Sequence, residues 1–406
     1  DLWGSAINWR PSGQLDGTPG SPDPGAPVIA PILVNEVLTH TDDPVKDAIE
    51  LFNPTANDVD IGGWFLSDDF VNPLKYRIPN GTMIPALGYL VFDENDFNPD
   101  GTGPLGFSFS SKGDEVVLFS GDPAGASLTG YFHRYDFGAA ENGVSFGPHV
   151  TSTLSEKFVA LESLTLGGAN AGPKVGPVVI SEIMYHPPDV GGEDDALSEF
   201  IELLNISGAD VPLHDPANPG NTWQLRKAVD FAFPAGATLA AGGHALVVGF
   251  DPGNGAQLAA FRAQYEVPNE VPVYGPYSGK LDNSAEEVEL FRPDAPELGE
   301  VVPYILVDKV NYQHDAPWPS AADGNGPSLQ RIDGNAFGND PIHWLAAAPT
   351  AGQPAAGGEL PVITSQPGDL VAVGLTDSML SVTATGGSSL KYQWRFEGSN
   401  IEGATG

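Results

Sequence analysis

A pair of apolar strands, each carrying one glutamate, occurs twice along the chain, and this repeat limits the folds that the sequence can adopt. The first copy reads ILVNEVLTH at 32–40 and AIELFNP at 48–54, and the second reads VVISEIMYHPP at 178–188 and EFIELLN at 199–205. The corresponding polar positions are Glu36 with Glu182, Glu50 with Glu202, and Asn53 with Asn205. Because such self-similarity marks one structural plan used more than once, the sequence predicts two modules of the same fold.

Three more segments match between the copies, in the same order along the chain. The matched pairs are 78–92 with 233–248, 109–119 with 281–291, and 141–147 with 324–331. The first pair predicts a short strand, a glycine-containing turn and an apolar strand, and the second predicts a hairpin followed by an alternating strand. The third predicts a turn before a final strand. The only convincing helical stretch is 258–266, inside an insertion of the second copy.

The composition agrees with an all-β chain and excludes several other classes. Glycine and proline account for 50 and 38 of the 406 residues, which is too many for a helical bundle, since helix interiors tolerate neither. A hydrophobic content of 41% is too high for a disordered tail, and the absence of cysteine excludes disulfides and thiolate metal sites. The net charge of −36 argues against a nucleic-acid partner, because phosphate binding depends on Lys and Arg. No apolar stretch is long enough to predict a transmembrane segment.

Stretches rich in glycine, proline and alanine near 15–27, 166–177 and 348–361 are interpreted as linkers at module ends. The predicted divisions are a remnant of a preceding module plus linker (1–26), a first module (27–172), a second module (173–356), and a linker with a truncated further domain (357–406). We therefore expect a fragment of a longer protein, with a signal peptide upstream of it.

The order of these motifs resembles the lamin tail domain family. Its most specific part is ISEIMYHPP followed by EFIELLN, within 180–205. The resemblance implies an Ig-like β-sandwich for each module, and so an all-β chain of tandem Ig-like sandwiches joined by Pro/Gly-rich linkers. It also implies a secreted or cell-surface bacterial setting. It implies no catalytic residue, because the fold carries no single chemistry.

Residues 361–406 have another pattern, which resembles strands A to C of a bacterial Ig-like domain. The three stretches are PVITSQPGDLVAVG, SMLSVTATG and LKYQWRFEG. Trp394 falls where such domains place the core tryptophan of strand C, and Val382 or Ala384 takes the place of the usual strand-B cysteine.

The glutamates Glu36, Glu50, Glu182 and Glu202 are the first candidates for chemistry, two in each module. Two strands that carry one glutamate each can bring two carboxylates together, and a close pair splits its pKa values as a general acid and base require. The alternative places each glutamate on the solvent face of a half-exposed antiparallel strand. The sequence favours this alternative, because no histidine, arginine or glycine-rich loop accompanies the glutamates in a catalytic pattern.

An oxygen-rich loop contains the predicted metal ligands Asp96, Asn98, Asp100 and Thr102. The loop follows the D-x-[DN]-x-[DN]-G pattern of a calcium loop, whose ion needs about six oxygens. Phe107 stands where an EF-hand has glutamate, so the expected Ca²⁺ site is a loop within a β-domain. The alternative is a polar hairpin loop rich in turn-forming residues.

Other polar clusters give weaker signals. Adjacent carboxylates at 42–43, 68–69 and 193–195 are interpreted as solvated loop groups or weak divalent-ion sites. The eight histidines show no zinc-site spacing, and His40 and His186 occupy equivalent points that we interpret as strand ends. The tryptophans predicted to fill sandwich cores or seal module ends are Trp64, Trp223, Trp318 and Trp344.

Together these observations predict a non-catalytic structural, adhesive or ligand-binding region of a large extracellular bacterial protein. The chain has no phosphate-binding loop of the G-x-x-x-x-G-K-[ST] type. The expected partner is an extracellular protein or polysaccharide, or the neighbouring modules. The alternative is an accessory region of a secreted nuclease, hydrolase or CotH-type kinase-like enzyme, whose catalytic domain would lie outside this fragment.

Overall fold

The computed structural model describes residues 17–21, 29–99, 106–125, 127–296, 301–354, 362–367, 381–385, 393–396 and 399–405. The chain divides into two compact units with the main boundary between Val175 and Gly176, and the short segments 215–221 and 291–306 group with the first unit. The domain boundaries drawn from the sequence stay a prediction. No helix among the described residues is long and apolar enough to cross a membrane.

The first module is built from short strands and one helical turn. Its strands are β1 (Leu33–Leu38), β2 (Ala48–Phe52), β3 (Val59–Asp60), β4 (Phe65–Ser67), β5 (Tyr76–Arg77), β6 (Met83–Ile84), β7 (Tyr89–Asp93), β8 (Gly113–Gly121), β9 (Leu128–Gly138), β10 (Ser145–Val150) and β11 (Glu156–Ala160). Helix α1 spans Glu94–Phe97. Asp93 caps it and exchanges hydrogen bonds with Asp96 in a capping box, which explains why so short a helix forms.

Two sheets of the first module enclose its core. One sheet has the order β11-β10-β1-β2-β7 and the other the order β5-β4-β8-β9, and β3 pairs separately with β6. The alternation in β2 sends Ile49 and Leu51 into the core, where they meet Leu66 and Val116 of the second sheet. Trp64 lies in the same core, as predicted.

The second module repeats this plan with a few additions. Its strands are β12 (Val178–Met184), β13 (Phe200–Asn205), β14 (Val211–Pro212), β15 (Gln224–Lys227), β16 (Val229–Ala232), β17 (Thr238–Leu239), β18 (His244–Val248), β19 (Val273–Tyr274), β20 (Ser278–Gly279), β21 (Ala285–Pro293), β22 (Tyr304–Gln313), β23 (Ser328–Arg331) and β24 (Trp344–Ala347). Helix α2 spans Gly255–Gln264, and 3₁₀ turns span Ser320–Ala322 and Pro341–His343.

The sheets of the second module have the same strand order as those of the first. The larger sheet reads β24-β23-β12-β13-β18 with the parallel strand β19 added at its edge, and its partner reads β16-β15-β21-β22 with β20 added. Trp223, Trp318 and Trp344 lie in the core, which confirms the predicted role of the tryptophans. The outer face of the larger sheet carries a second apolar cluster, in which Phe200 packs against Phe261 and Tyr265 of the α2 region.

The strand pattern confirms the sequence prediction of tandem Ig-like β-sandwiches and corrects it in detail. The third matched pair gives β10 and β23, but neither is the last strand, because β11 and β24 pair with them afterwards. The predicted helix is present as α2 and begins earlier than expected, since the Asn254 side chain caps its first turn. Helix α1 was not expected.

Four strands are described towards the end of the chain. They are β25 (Val362–Ser365), β26 (Thr383–Thr385), β27 (Gln393–Phe396) and β28 (Ser399–Thr405). β25 pairs with β26, and β27 pairs with β28. Trp394 lies in β27 and is half-buried, as are Val382 beside β26 and Ala384 within it.

Candidate functional site

Each module buries two glutamates that face each other across its first strand pair. Glu36 of β1 stands opposite Glu50 of β2, and Glu182 of β12 stands opposite Glu202 of β13. All four side chains are at most 2% exposed. The favoured prediction, that they lie on a solvent face, is therefore wrong.

The covering of the outer sheet face explains this error. Strand alternation does turn Glu50 away from the core that Ile49 and Leu51 enter. The chain after β11 then returns across that outer face, and Thr165 and Gly167 bond the two carboxylates there. The sequence interpretation placed this return segment at the start of a linker, because glycine, proline and alanine dominate it.

A β-bulge in the first strand of each module helps to hold the carboxylate pair. The register shifts between Val34 and Glu36 in β1, and the same shift occurs at the equivalent point of β12. The extra residue in β1 is Asn35, whose Nδ2 donates to Glu50 Oε1 at 2.7 Å. Its counterpart Ser181 donates from Oγ to Glu202 Oε1 at 2.6 Å. Bulges commonly redirect a side chain in this way.

The glutamate of the first strand accepts the same set of hydrogen bonds in both modules. Glu36 accepts from Ser145 Oγ at 2.5 Å, from the Thr165 main-chain N–H at 2.9 Å and from Thr165 Oγ1 at 2.8 Å. In the second module Ser328 Oγ donates at 2.5 Å, while the main chain and hydroxyl of Thr350 donate at 3.1 and 2.9 Å. Each carboxylate thus joins a strand to the tail of its module.

The glutamate of the second strand is held by a tail glycine. The Gly167 N–H donates to Glu50 Oε2, and the Gly352 N–H donates to Glu202 Oε2 at 2.6 Å. The His244 imidazole also lies against Glu202, with Nδ1 3.0 Å from Oε1 but not aligned as a hydrogen-bond donor. The segments 165–167 and 350–352 share the sequence Thr-x-Gly, and we call each of them the Thr-x-Gly tail.

Burial makes the carboxyls of Glu50 and Glu182 weaker acids. It raises the pKa of Glu50 above its ordinary value, although the bonds from Gly167 and Asn35 oppose the rise. In the second module burial, together with the neighbouring charge of Glu202, raises the pKa of Glu182 to about 7. Desolvation therefore outweighs the hydrogen bonds that favour the charged form.

A further buried acid begins the second strand segment in each module. Asp47 accepts a hydrogen bond from Thr41 Oγ1 at 2.9 Å, and burial raises its pKa to about 6. The matching Glu199 accepts from Tyr277 Oη and from the main chain of Leu281, both at 3.0 Å, and burial raises its pKa to about 7.

The asparagine of the repeat ties strand ends together. The Asn53 amide donates to three main-chain carbonyls at 2.8–3.2 Å, and its oxygen accepts from the N–H and hydroxyl of Thr55. Asn205 makes the same five contacts, with Ser207 in the place of Thr55. Asn205 is fully buried, so these contacts give it a structural role.

The predicted calcium loop lies only partly within the described residues. Asp100 and Thr102 fall outside them. The Asp96 carboxylate accepts the Asp93 N–H at 3.1 Å, and Asn98 ends helix α1 with its amide 3.2 Å from Glu94. Calcium binding therefore stays a prediction, which melting temperatures with and without EDTA would test.

The acidic pairs of the first module are occupied by nearby donors. Asp42 accepts from the Asn142 amide at 2.6 Å, and Asp43 pairs with Lys46 at 2.7 Å. Asp68 pairs with Lys75, while Asp69 accepts the main-chain N–H of the residue two positions on.

A cluster of a histidine and aspartates in the second module was missed at the level of sequence. The donor atoms of His186, Asp189 and Asp194 lie within 4.8 Å of one another, and His186 also contacts Asp323. The acidic run at 193–195 was a partial signal. Nothing in the local sequence links it to His186, since Asp323 is 137 positions away.

The Lamin Tail Domain family matches residues 26–132 and 171–312, which together are more than half of the chain. Among solved structures, the chain is similar to a DUF4876 family protein from Bacteroides thetaiotaomicron, at 12% identity and a TM-score of 0.27, over 79% of this chain and 93% of that chain. No curated protein matches the chain. With two matched regions and two modules of one strand order, the chain belongs to the lamin tail domain family, a non-catalytic Ig-like domain family.

Proposed function

We propose that this region is a non-catalytic, structural part of a secreted or cell-surface bacterial protein, in which the two modules act as rigid spacers. The proposal rests on the hydrogen bonds that the buried glutamates accept. In each module they bond the first strand to the Thr-x-Gly tail, so both ends of the module are fixed at one place.

The state of the carboxylates supports a structural role over catalysis. Both oxygens of Glu36 accept hydrogen bonds from the protein, and so do both oxygens of Glu50. A general base needs a free lone pair within reach of a substrate proton. Glu36 and Glu50 are 0% exposed and already hydrogen-bonded, so they have no free lone pair for a substrate proton. Their hydrogen bonds stabilise the module itself.

The path of the chain supports a load-bearing role. When the chain is pulled at points before β1 and after the tail, the force acts on the tail of the first module. It is then resisted by the hydrogen bonds of Glu36 to Thr165 and of Glu50 to Gly167. Hydrogen bonds to a charged acceptor are stronger than neutral ones. We therefore expect the Thr-x-Gly tails to resist detachment.

The charge of the chain supports an extracellular setting. A net charge of −36 keeps a protein soluble, and salt limits its self-repulsion. The absence of cysteine makes the modules independent of the redox state of their surroundings.

Single-molecule force spectroscopy on the full chain tests the proposal. We expect a distinct detachment step for each tail in the native chain. Thr165→Val with Thr350→Val should lower the force of that step, and the matched serine variants, which keep the hydroxyl, should restore it. Tails that detach at the same force in all three proteins, or that show no measurable resistance, would contradict a load-bearing role.

A further inference from the structure

A tight turn after β12 brings two aspartates of the second module together. Gly191 and Gly192 have φ angles of 67° and 87°, and the residues on either side of them exchange main-chain hydrogen bonds of 3.0 and 3.2 Å. Positive φ at both central positions defines a two-residue hairpin turn that glycine favours. Asp189 and Asp194 are the next residues outward, so the turn places them side by side.

A histidine two residues after β12 completes the cluster. His186 Nδ1 lies 2.5 Å from Asp323 Oδ1, and Nε2 lies 3.7 Å from Asp189 Oδ1. A carboxylate that accepts the Nδ1 proton leaves the Nε2 lone pair free, which is the usual arrangement of a metal-binding histidine. Gly324 packs against the imidazole, because a Cβ there would come within 3.1 Å of the ring.

The charges of the cluster call for a cation. One imidazole nitrogen of His186 and one carboxylate oxygen each of Asp189 and Asp194 lie within 4.8 Å of one another, and Nε2 is the nitrogen that faces Asp189. Lys280 Nζ lies 2.6 Å from Asp194 Oδ2 and neutralises part of this charge. Asp189 has no lysine or arginine within ion-pair distance among the described residues, and its only such contact is with His186.

We infer that His186, Asp189 and Asp194 bind a divalent transition-metal cation, with Zn²⁺ as the test ion. An imidazole nitrogen suits Zn²⁺ and its neighbours, whereas Ca²⁺ and Mg²⁺ prefer oxygen alone. Ligands about 2.1 Å from a tetrahedral Zn²⁺ stand roughly 3.4 Å apart. The 3.7 Å between His186 and Asp189 is close to that spacing, so small side-chain rotations would complete the site. Asp323 would be an outer partner that orients the histidine.

The first module supplies a natural control. His40, at the point equivalent to His186, has Nδ1 2.8 Å from the Ala140 main-chain oxygen. The aspartates that follow it bond Asn142 and Lys46 instead of converging on the imidazole. Among the described residues no other group of three histidine, aspartate or glutamate side chains converges in this way.

Calorimetric titration of the full chain with Zn²⁺ tests the inference. The variants are His186→Asn, Asp189→Asn and, as the matched control, His40→Asn. We expect the native chain and the His40 variant to bind one Zn²⁺ that the His186 variant does not. Because Asp189 is exposed, its variant should fold normally, and it should bind that ion at least about tenfold more weakly.

Two further readouts make the test decisive. Co²⁺ bound in place of Zn²⁺ should give visible absorption that is lost in the His186 variant, and a tenfold excess of Ca²⁺ should leave the site occupied. Equal binding by the native chain and both site variants would overturn the inference. Displacement by Ca²⁺ would also overturn it, because the site would then be an acidic surface without a role for the imidazole.

Discussion

The two modules agree in their buried polar groups and differ in what surrounds them. Both hold a glutamate pair, a bulge, a Thr-x-Gly tail and an asparagine that ties strand ends together, here called the asparagine clamp (Asn53 or Asn205), in the same arrangement. Only the second module adds helix α2 over the outer sheet face, and only there does the histidine that follows the first strand meet carboxylates. The shared groups are therefore what the fold requires, and the differences are where one module has gained properties of its own.

The largest effect should come from removing the first-strand glutamate. Glu36→Ala and Glu182→Ala each leave a cavity and three donors without their acceptor, so each should lower the free energy of unfolding of its module by about 4 kcal/mol. Calorimetry, with hydrogen exchange to assign each transition, measures this change. Glu270→Ala, at an exposed position, is the control. Equal losses in the two modules would support the view that the glutamate has the same structural role in both. A loss of stability in only one module would contradict it.

The asparagine clamps should rank next. Asn53→Ala and Asn205→Ala each remove the five hydrogen bonds of a buried side chain, with an expected cost of roughly 3 kcal/mol. The matched variants Asn53→Asp and Asn205→Asp keep the acceptor and lose the donors, and should recover only part of the loss. If the alanine variants unfold at the same denaturant concentration as the native chain, the asparagine clamp does not contribute to the stability of the module.

The pH dependence should separate the modules. A carboxyl whose pKa is raised in the folded state favours folding at low pH, and this contribution is lost as the pH rises through the folded pKa. The second module should therefore lose of order 2 kcal/mol as the pH rises from about 4.5 to about 7, between the ordinary and the raised pKa of Glu182 and Glu199, and should then level off. The first module should lose stability through Asp47 between about pH 4 and pH 6.

Urea unfolding at pH 4 to 8 checks this difference between the modules. Glu182→Gln should flatten part of the curve of the second module, because Glu199 still titrates, and should leave the curve of the first module unchanged. A second module that gains stability between pH 4.5 and 7 would show that hydrogen bonding to the charged carboxylates outweighs their burial.

The smallest change should follow from the tail hydroxyls. Thr165→Val and Thr350→Val keep the main-chain bond and remove one hydroxyl donor to a carboxylate, so each should cost about 1.5 kcal/mol. Differential scanning calorimetry would detect such a loss, and the serine variants should regain most of it. Unequal losses would show that helix α2 shields the second tail.

The sequence predicts the strands well because matched segments constrain one another. A single I-E-L-x-N strand is ambiguous, but two copies in the same order predict the shared strand order that both modules show. The burial of Glu50 could not be predicted from its strand, because alternation states which face a residue takes and not what covers that face. The cover, Thr165 to Gly167, lies more than 100 positions away in a stretch with linker composition.

The His186 cluster shows the same limit. The local sequence is His-Pro-Pro-Asp at 186–189, which does not match a recognised metal-binding motif. His40, at the equivalent point of the first module, has no comparable carboxylate partners. Only the fold brings Asp323 to Nδ1 and the Gly191–Gly192 turn to Nε2. Residue types can suggest ligands, but convergence depends on long-range packing.

The central claim is that the Thr-x-Gly tails belong to the folded modules. Native-state hydrogen exchange of the Thr165, Gly167, Thr350 and Gly352 amides tests it most directly, because each of these N–H groups donates to a buried carboxylate. The account predicts that all four exchange as slowly as the amides of β1 and β12. Exchange at the rate of an unstructured linker would contradict it.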